Sequence, residues 1–102
     1  MGFTPEFRGH AEMLIDIFIE SISNKKNLEN ILRFYHVDKN GQYLYMLGYY
    51  HGSAEAEISN AYLMLYKRSF GESDLDDMWE IIKRREKEVD EILTRYGIET
   101  SL

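Results

Sequence analysis

The stretch RFYHVDKNGQYLYML, residues 33–47, decides the fold class of this chain. At its centre lies Asp38-Lys39-Asn40-Gly41, and Asn-Gly is a strong turn signal because both residues tolerate the backbone angles of a tight reversal. The flanks admit two readings. Arg33–Val37 and Gln42–Leu47 are rich in Tyr, Phe and Val, which suits a β-hairpin and would make the chain α+β. Against this, Leu44, Leu47, His51, Ala54, Ile58, Ala61 and Leu65 recur at alternating spacings of three and four, a helical seam that runs through the second flank unbroken. A strand repeats every two residues and would not continue into that seam. The helix is therefore preferred, from about Gln42 to Ser69. Gly48 and Gly52 are its weak points, each costing about 1 kcal/mol relative to Ala. If the hairpin formed instead, Ser53 would cap a shorter helix.

Upstream, the single proline stands where a helix begins. Thr4 can cap, Pro5 takes the first helical position with its φ already set, and Glu6 suits the positive end of the dipole. This predicts a first helix from Pro5 to about Ile22, its first turn weakened by Gly9. Phe7, Ala11, Leu14, Phe18 and Ile22 form one apolar stripe, which Ile15 and Ile19 widen, while Met13 and Ile17 lie outside it. A surface so wide is more than one neighbouring helix covers, so this helix is either central or faces a second subunit. Ser23 to Lys26 reads as a polar turn, after which Asn27 caps a short helix bearing Leu28, Ile31, Leu32 and Tyr35.

Downstream, Gly71 breaks the chain, Ser73 is the expected cap, and Asp76 stands in the capping-box position. Leu75, Met78, Ile82, Arg85, Val89, Ile92 and Tyr96 then repeat at three and four, with Trp79 and Leu93 alongside. Gly97 follows the last turn as a left-handed terminator should, and Ile98–Leu102 reads as a loose tail. The sum is one domain, residues 1–102, folded as an all-α antiparallel bundle of about four helices. An α+β fold with a hairpin at about 33–47 is the alternative. The seams would span about 35–40 Å at 1.5 Å per residue, long beside the ~13 Å radius of gyration expected at this length, and this favours a homodimer.

Composition narrows the function. Eighteen acids against twelve bases give a formal charge of −6, which argues against nucleic acid as a partner because phosphate binding needs excess Lys and Arg. There are no cysteines, so disulfides, thiolate catalysis and cysteine-ligated zinc are excluded. Asp16 and Glu20 interrupt the apolar run of the first helix, which has neither the leader nor the cleavage site of a signal peptide. No stretch approaches the roughly 20 apolar residues of a membrane span. The expected compartment is the cytoplasm, with no membrane partner.

Few residues suggest chemistry. His51 and Glu55 are four apart on one helical face, a spacing at which two ligands meet one metal ion, and Glu12, Asp16 and Glu20 form a carboxylate ladder. The plainer account is a hydrogen-bonded histidine and a solvated helix face. Asp76, Asp77 and Glu80 place acids on one turn, as in the paired-acid helices of the all-α nucleoside triphosphate pyrophosphatases, which hold magnesium. The second acidic helix motif of that family is not matched by Glu57 with Asn60 or by Glu88 with Glu91, so the chain is not placed there. Acids in a first turn are in any case favoured by the helix dipole. In Lys83-Arg84-Arg85-Glu86-Lys87-Glu88 acids and bases interleave, with Glu80–Arg84 and Glu91–Arg95 expected as i, i+4 pairs. Arg85 falls in the apolar seam and should snorkel or pair with an acid on a neighbouring helix or subunit.

Gly48-x-x-x-Gly52 makes a smooth strip bordered by tyrosines, a residue enriched at protein interfaces. The chain carries no phosphate loop, no His-Glu-x-x-His and no nucleophile elbow. The expectation is thus a non-enzymatic protein-binding module, of the regulator, immunity-type inhibitor or adaptor kind, acting as a small acidic homodimer without catalytic residues, metal or cofactor. Its interface residues are Ile15, Ile19, Gly48, Tyr49 and Gly52. The competing function is a magnesium-dependent nucleotide hydrolase using Asp76, Asp77 and Glu80 with Glu57 or Glu55. Mimicry of nucleic acid by the acidic surface ranks last, since the acids are scattered among bases.

Overall fold

Helix α1 spans Pro5–Ser23 in the computed structural model, which describes residues 2–98. The Thr4 side chain accepts from the Phe7 amide at 3.1 Å and Pro5 opens the first turn, so the helix starts where expected despite Gly9. Asn24 ends α1 and at once caps α2, Lys25–Phe34, accepting from the Asn27 amide at 3.1 Å. Asn27 is therefore not the cap. Its side chain reaches back to Ser21, donating to the carbonyl at 3.2 Å and the hydroxyl at 2.9 Å, which holds the one-residue turn closed.

The disputed stretch contains no strand. After α2, His36 takes the left-handed conformation at φ 52°, and Val37 N–H returns to the Leu32 carbonyl at 3.1 Å. Asn40 and Gly41 lie in a 3₁₀ turn, Lys39–Gly41, that feeds straight into α3, Gln42–Tyr66. The strand-favouring aromatics find partners across the helix junction, Tyr35 stacking on Tyr45 at 5.6 Å and on Tyr49 at 6.3 Å. Tertiary packing here overrides β propensity.

Helix α3 ends before Ser69, because Lys67 turns left-handed at φ 57° and donates its N–H to the Leu63 carbonyl at 2.8 Å. Helix α4, Glu72–Arg95, begins earlier than expected. Gly71 is extended at the cap and the Asp74 carboxylate accepts its N–H at 2.9 Å, the role assigned from sequence to Ser73 and Asp76. Gly97 stops α4 at φ 80°, with Ile98 N–H bonded to the Leu93 carbonyl at 2.8 Å. Ile98 is buried rather than loose; the remainder of the expected tail, residues 99–102, lies outside the described residues.

The helices form an antiparallel bundle, 41 Å along its long axis. Contacts such as Phe7–Tyr62 and Phe18–Tyr50 set α1 antiparallel to α3. Helix α4 packs against both and runs alongside α1, as Arg8–Glu80 and Tyr96–Ser23 show, while α2 packs on α1. The buried stripe of α3 differs from the expected seam. It is Met46, Tyr50, Ala54, Ile58 and Tyr62, whereas Leu44 and Leu65 are exposed and Leu47, His51 and Ala61 half-buried. A step of four residues drifts by about 40° around a helix, so the inward face turns along the length of α3. Tyr50 and Tyr62 enter the core because each hydroxyl finds an acceptor on α4, the Ile82 carbonyl at 2.6 Å and Asp74 at 3.0 Å.

Candidate functional site

Part of the apolar surface that packing leaves out lies between α1 and α3, where Met64 and Leu65 line a pocket, while Leu63 and Leu75 line another between α3 and α4. On α1 the outer stripe is Glu6, His10, Met13 and Ile17, adjacent to the core stripe. On α3 it is Ala61, Met64 and Leu65. Helix α4 packs on both helices and contributes nothing to this side. Helix α2 has ten residues and reaches only one end, where its Ile31 lines a smaller pocket of about 190 Å³ with Ile17, Phe18, Tyr49 and Ser53. The other end is an open groove of about 680 Å³, with Phe7 and Ala61 lining it among Glu6, His10, Met64, Leu65 and Tyr66. Met64 is 72% exposed and Leu65 61%, so two large apolar side chains face solvent at its edge.

The charge of the groove is one-sided. No Lys or Arg occurs in α3, and Arg8, the one in α1, turns toward α4, where it pairs with Asp77 at 3.5 Å and Glu80 at 3.1 Å. Glu6 is the acid that lines this pocket, with His10 beside it, while Glu57 lines the separate pocket at the α2 end.

The residues singled out from sequence are dispersed. Ile15 is 1% exposed and belongs to the core, so no partner can reach it; Ile19 is half-buried against the same core. Gly48 and Gly52 lie on the exposed side of α3, and a Cβ at either would meet nothing within 4 Å. Tyr49 is half-buried beside Phe18 and Tyr45. His51 donates through Nε2 to Glu86 on α4 at 2.6 Å, its ring edge-on to Trp79. Asp77 accepts the Phe3 N–H at 2.8 Å, and Glu80 accepts from Arg84 at 2.9 Å. Glu55, Glu57 and Asp76 are exposed. Among the described residues no three His, Asp or Glu side chains gather as a metal would require. The hydrolase reading lacks the converging carboxylates on which it depended.

Arg85 behaves as its place in the seam implied, pairing with Glu12 at 2.8 Å and Asp16 at 2.5 Å on α1, and with Glu88 on its own helix. Glu12 and Asp16 of the supposed ladder are thus ligands of an arginine, while Glu20 is exposed. Burial pushes the Glu12 carboxyl up, but the hydrogen bonds and charges of Arg84 and Arg85 outweigh it and hold the group below the ordinary range. The Asp90 carboxylate beside Tyr43, aided by burial, pushes that phenol up to about 12. Sequence reasoning missed the groove, although Met13 and Ile17 were visibly surplus to the core stripe. Leu65 was counted as core, which hid the other wall.

Among the described residues no helix is long and apolar enough to cross a membrane. No protein-family model, curated protein or solved structure matches the chain.

Proposed function

We propose that the chain is a non-enzymatic protein-binding module of the cytoplasm that works as a homodimer. The observation that carries this is the amount of large apolar surface left outside a well-filled core, with Leu44, Phe34, Met64 and Leu65 all more than 60% exposed. The dimer contact is assigned to the outer face of α3, where Leu44, Gly48 and Gly52 stand in a row. Small residues there let a second backbone approach closely, and Leu44 supplies apolar area at its edge. Ile15 drops out of the interface because it is enclosed by its own chain.

Sedimentation at micromolar concentration should give about twice 12.1 kDa. Gly52→Leu, whose Cβ would meet nothing within 4 Å, should yield a helical monomer. A monomer over the whole concentration range, or a dimer indifferent to Gly52→Leu, would remove this assignment.

A further inference from the structure

We propose that Asn40 deamidates spontaneously in the folded protein, which places a modification site at the entrance to α3. Of the asparagines Asn24, Asn27, Asn30, Asn40 and Asn60, only Asn40 is followed by glycine. The fold restrains the other four. The Asn24 side chain accepts from the Asn27 amide at 3.1 Å, and the Asn27 side chain donates to Ser21. Asn30 and Asn60 sit inside α2 and α3, where the next residue's amide is bonded into the helical ladder. Asn40 instead lies exposed in the 3₁₀ turn Lys39–Gly41.

The glycine that follows makes Asn40 reactive. Gly41 has φ −98°, and a Cβ there would meet only Val37 Cγ1, at 4.0 Å, so neither backbone conformation nor packing demands glycine. Its effect is to leave the peptide nitrogen after Asn40 without a shielding side chain. That nitrogen donates to the Asp38 carbonyl at 2.9 Å, a bond that must open before it reacts. The turn that holds it has three residues, the poorer bond geometry of a 3₁₀ helix and no side-chain cap from Asp38, so a local opening suffices.

On opening, the Gly41 nitrogen gives its proton to hydroxide and attacks Asn40 Cγ. The new C–N bond closes a cyclic imide. The electron pair of the breaking Cγ–Nδ2 bond leaves with Nδ2, which takes a proton from water and departs as ammonia. Water then opens the imide at either carbonyl, giving aspartate or isoaspartate. Both products set a new negative charge beside the start of α3, a helix with no acid in its first turn and no side-chain cap. That charge suits the positive end of the helix.

The full folded chain is incubated at neutral pH and all its asparagines are followed by peptide mass spectrometry. Asn40 should convert at least about tenfold faster than Asn30 or Asn60, a barrier difference of about 1.4 kcal/mol. Isoelectric focusing should show the product more acidic by a single charge. Gly41→Ala, which the space beside Val37 admits, should slow Asn40 by at least the same factor while circular dichroism stays helical. Conversion of Asn40 no faster than that of Asn30 and Asn60 overturns the proposal, and so does an unchanged rate in Gly41→Ala. An Asn40 that stays intact in the folded chain but converts in concentrated urea also overturns it, because the turn would then be protective.

Discussion

Asp74 is the charged residue that the core admits, at 2% exposure. One oxygen accepts from the Gly71 amide at 2.9 Å and the Tyr62 hydroxyl at 3.0 Å, with Arg68 at 3.5 Å. Burial pushes its carboxyl up, yet the amide, the hydroxyl and the arginine charge together outweigh this and hold it below the ordinary value. A carboxyl lowered in the folded state stabilises fully above its unfolded value, about 3.9, and that contribution is lost as pH falls through the folded one. Glu12 adds to the same acid limb. Asp74→Asn should therefore cost about 1–3 kcal/mol at neutral pH and flatten, without abolishing, the fall in stability below about pH 4. Urea melts at a series of pH values would show it, and an unchanged acid slope would contradict it. Pattern alone pointed to Ser73 and Asp76 at this helix start. Gly71 and Asp74 hold the role because the chain is extended at Gly71 and the Asp74 side chain folds back inside, where Tyr62 donates to it.

At the scale of the element, α3 is where periodicity and packing disagree. Both stripes are apolar and both repeat like a helix, so hydrophobicity could not choose between Leu44–Leu47–His51 and Met46–Tyr50. The tyrosines decided it, since a ring with a satisfied hydroxyl packs as core. The same rotation leaves the two glycines in open space, where their only effect on the fold is backbone entropy. Gly52→Ala should raise stability by up to about 1 kcal/mol. A thermal melt at low protein concentration should then rise by several degrees, about 4–8 °C per kcal/mol for a domain near this size. A lower melting temperature would mean that a backbone already lies against this face within one chain.

Across the whole molecule, two of the three faces between long helices are tied by side-chain hydrogen bonds or ion pairs. Helix α4 is tied to α3 by Tyr50, His51 and Tyr62, and to α1 by Arg84 and Arg85 on Glu12 and by Arg85 on Asp16. The α1–α3 face has no such cover beyond the reach of α2. Arg85 is the centre of the α1–α4 link and its side chain is 13% exposed. Arg85→Met should leave Glu12, Asp16 and Glu88 facing one another without their cation. The loss should be about 1–3 kcal/mol, below the 3–5 kcal/mol of a fully buried pair because Asp16 and Glu88 are solvated. Adding Glu12→Gln should restore part of it. Urea unfolding checks this, and a neutral Arg85→Met would show that apolar packing alone holds α4 to α1.

By itself the sequence determined the helical class, the start at Thr4-Pro5, the stop at Gly97 and the anomaly of Arg85, because caps, breakers and a charge in an apolar seam act locally and leave marks at fixed spacings. Only the tertiary structure decided which face of α3 turns inward and which apolar side chains stay uncovered. Met13 and Ile17 stood outside the α1 stripe, and Met64 and Leu65 followed on α3, but their meeting depends on the antiparallel register of two helices far apart in the chain. Periodicity reports that a helix has an apolar side; it carries no record of how many neighbours arrive to cover it, or how long they are. Here the neighbour that arrives is α2, and it is too short.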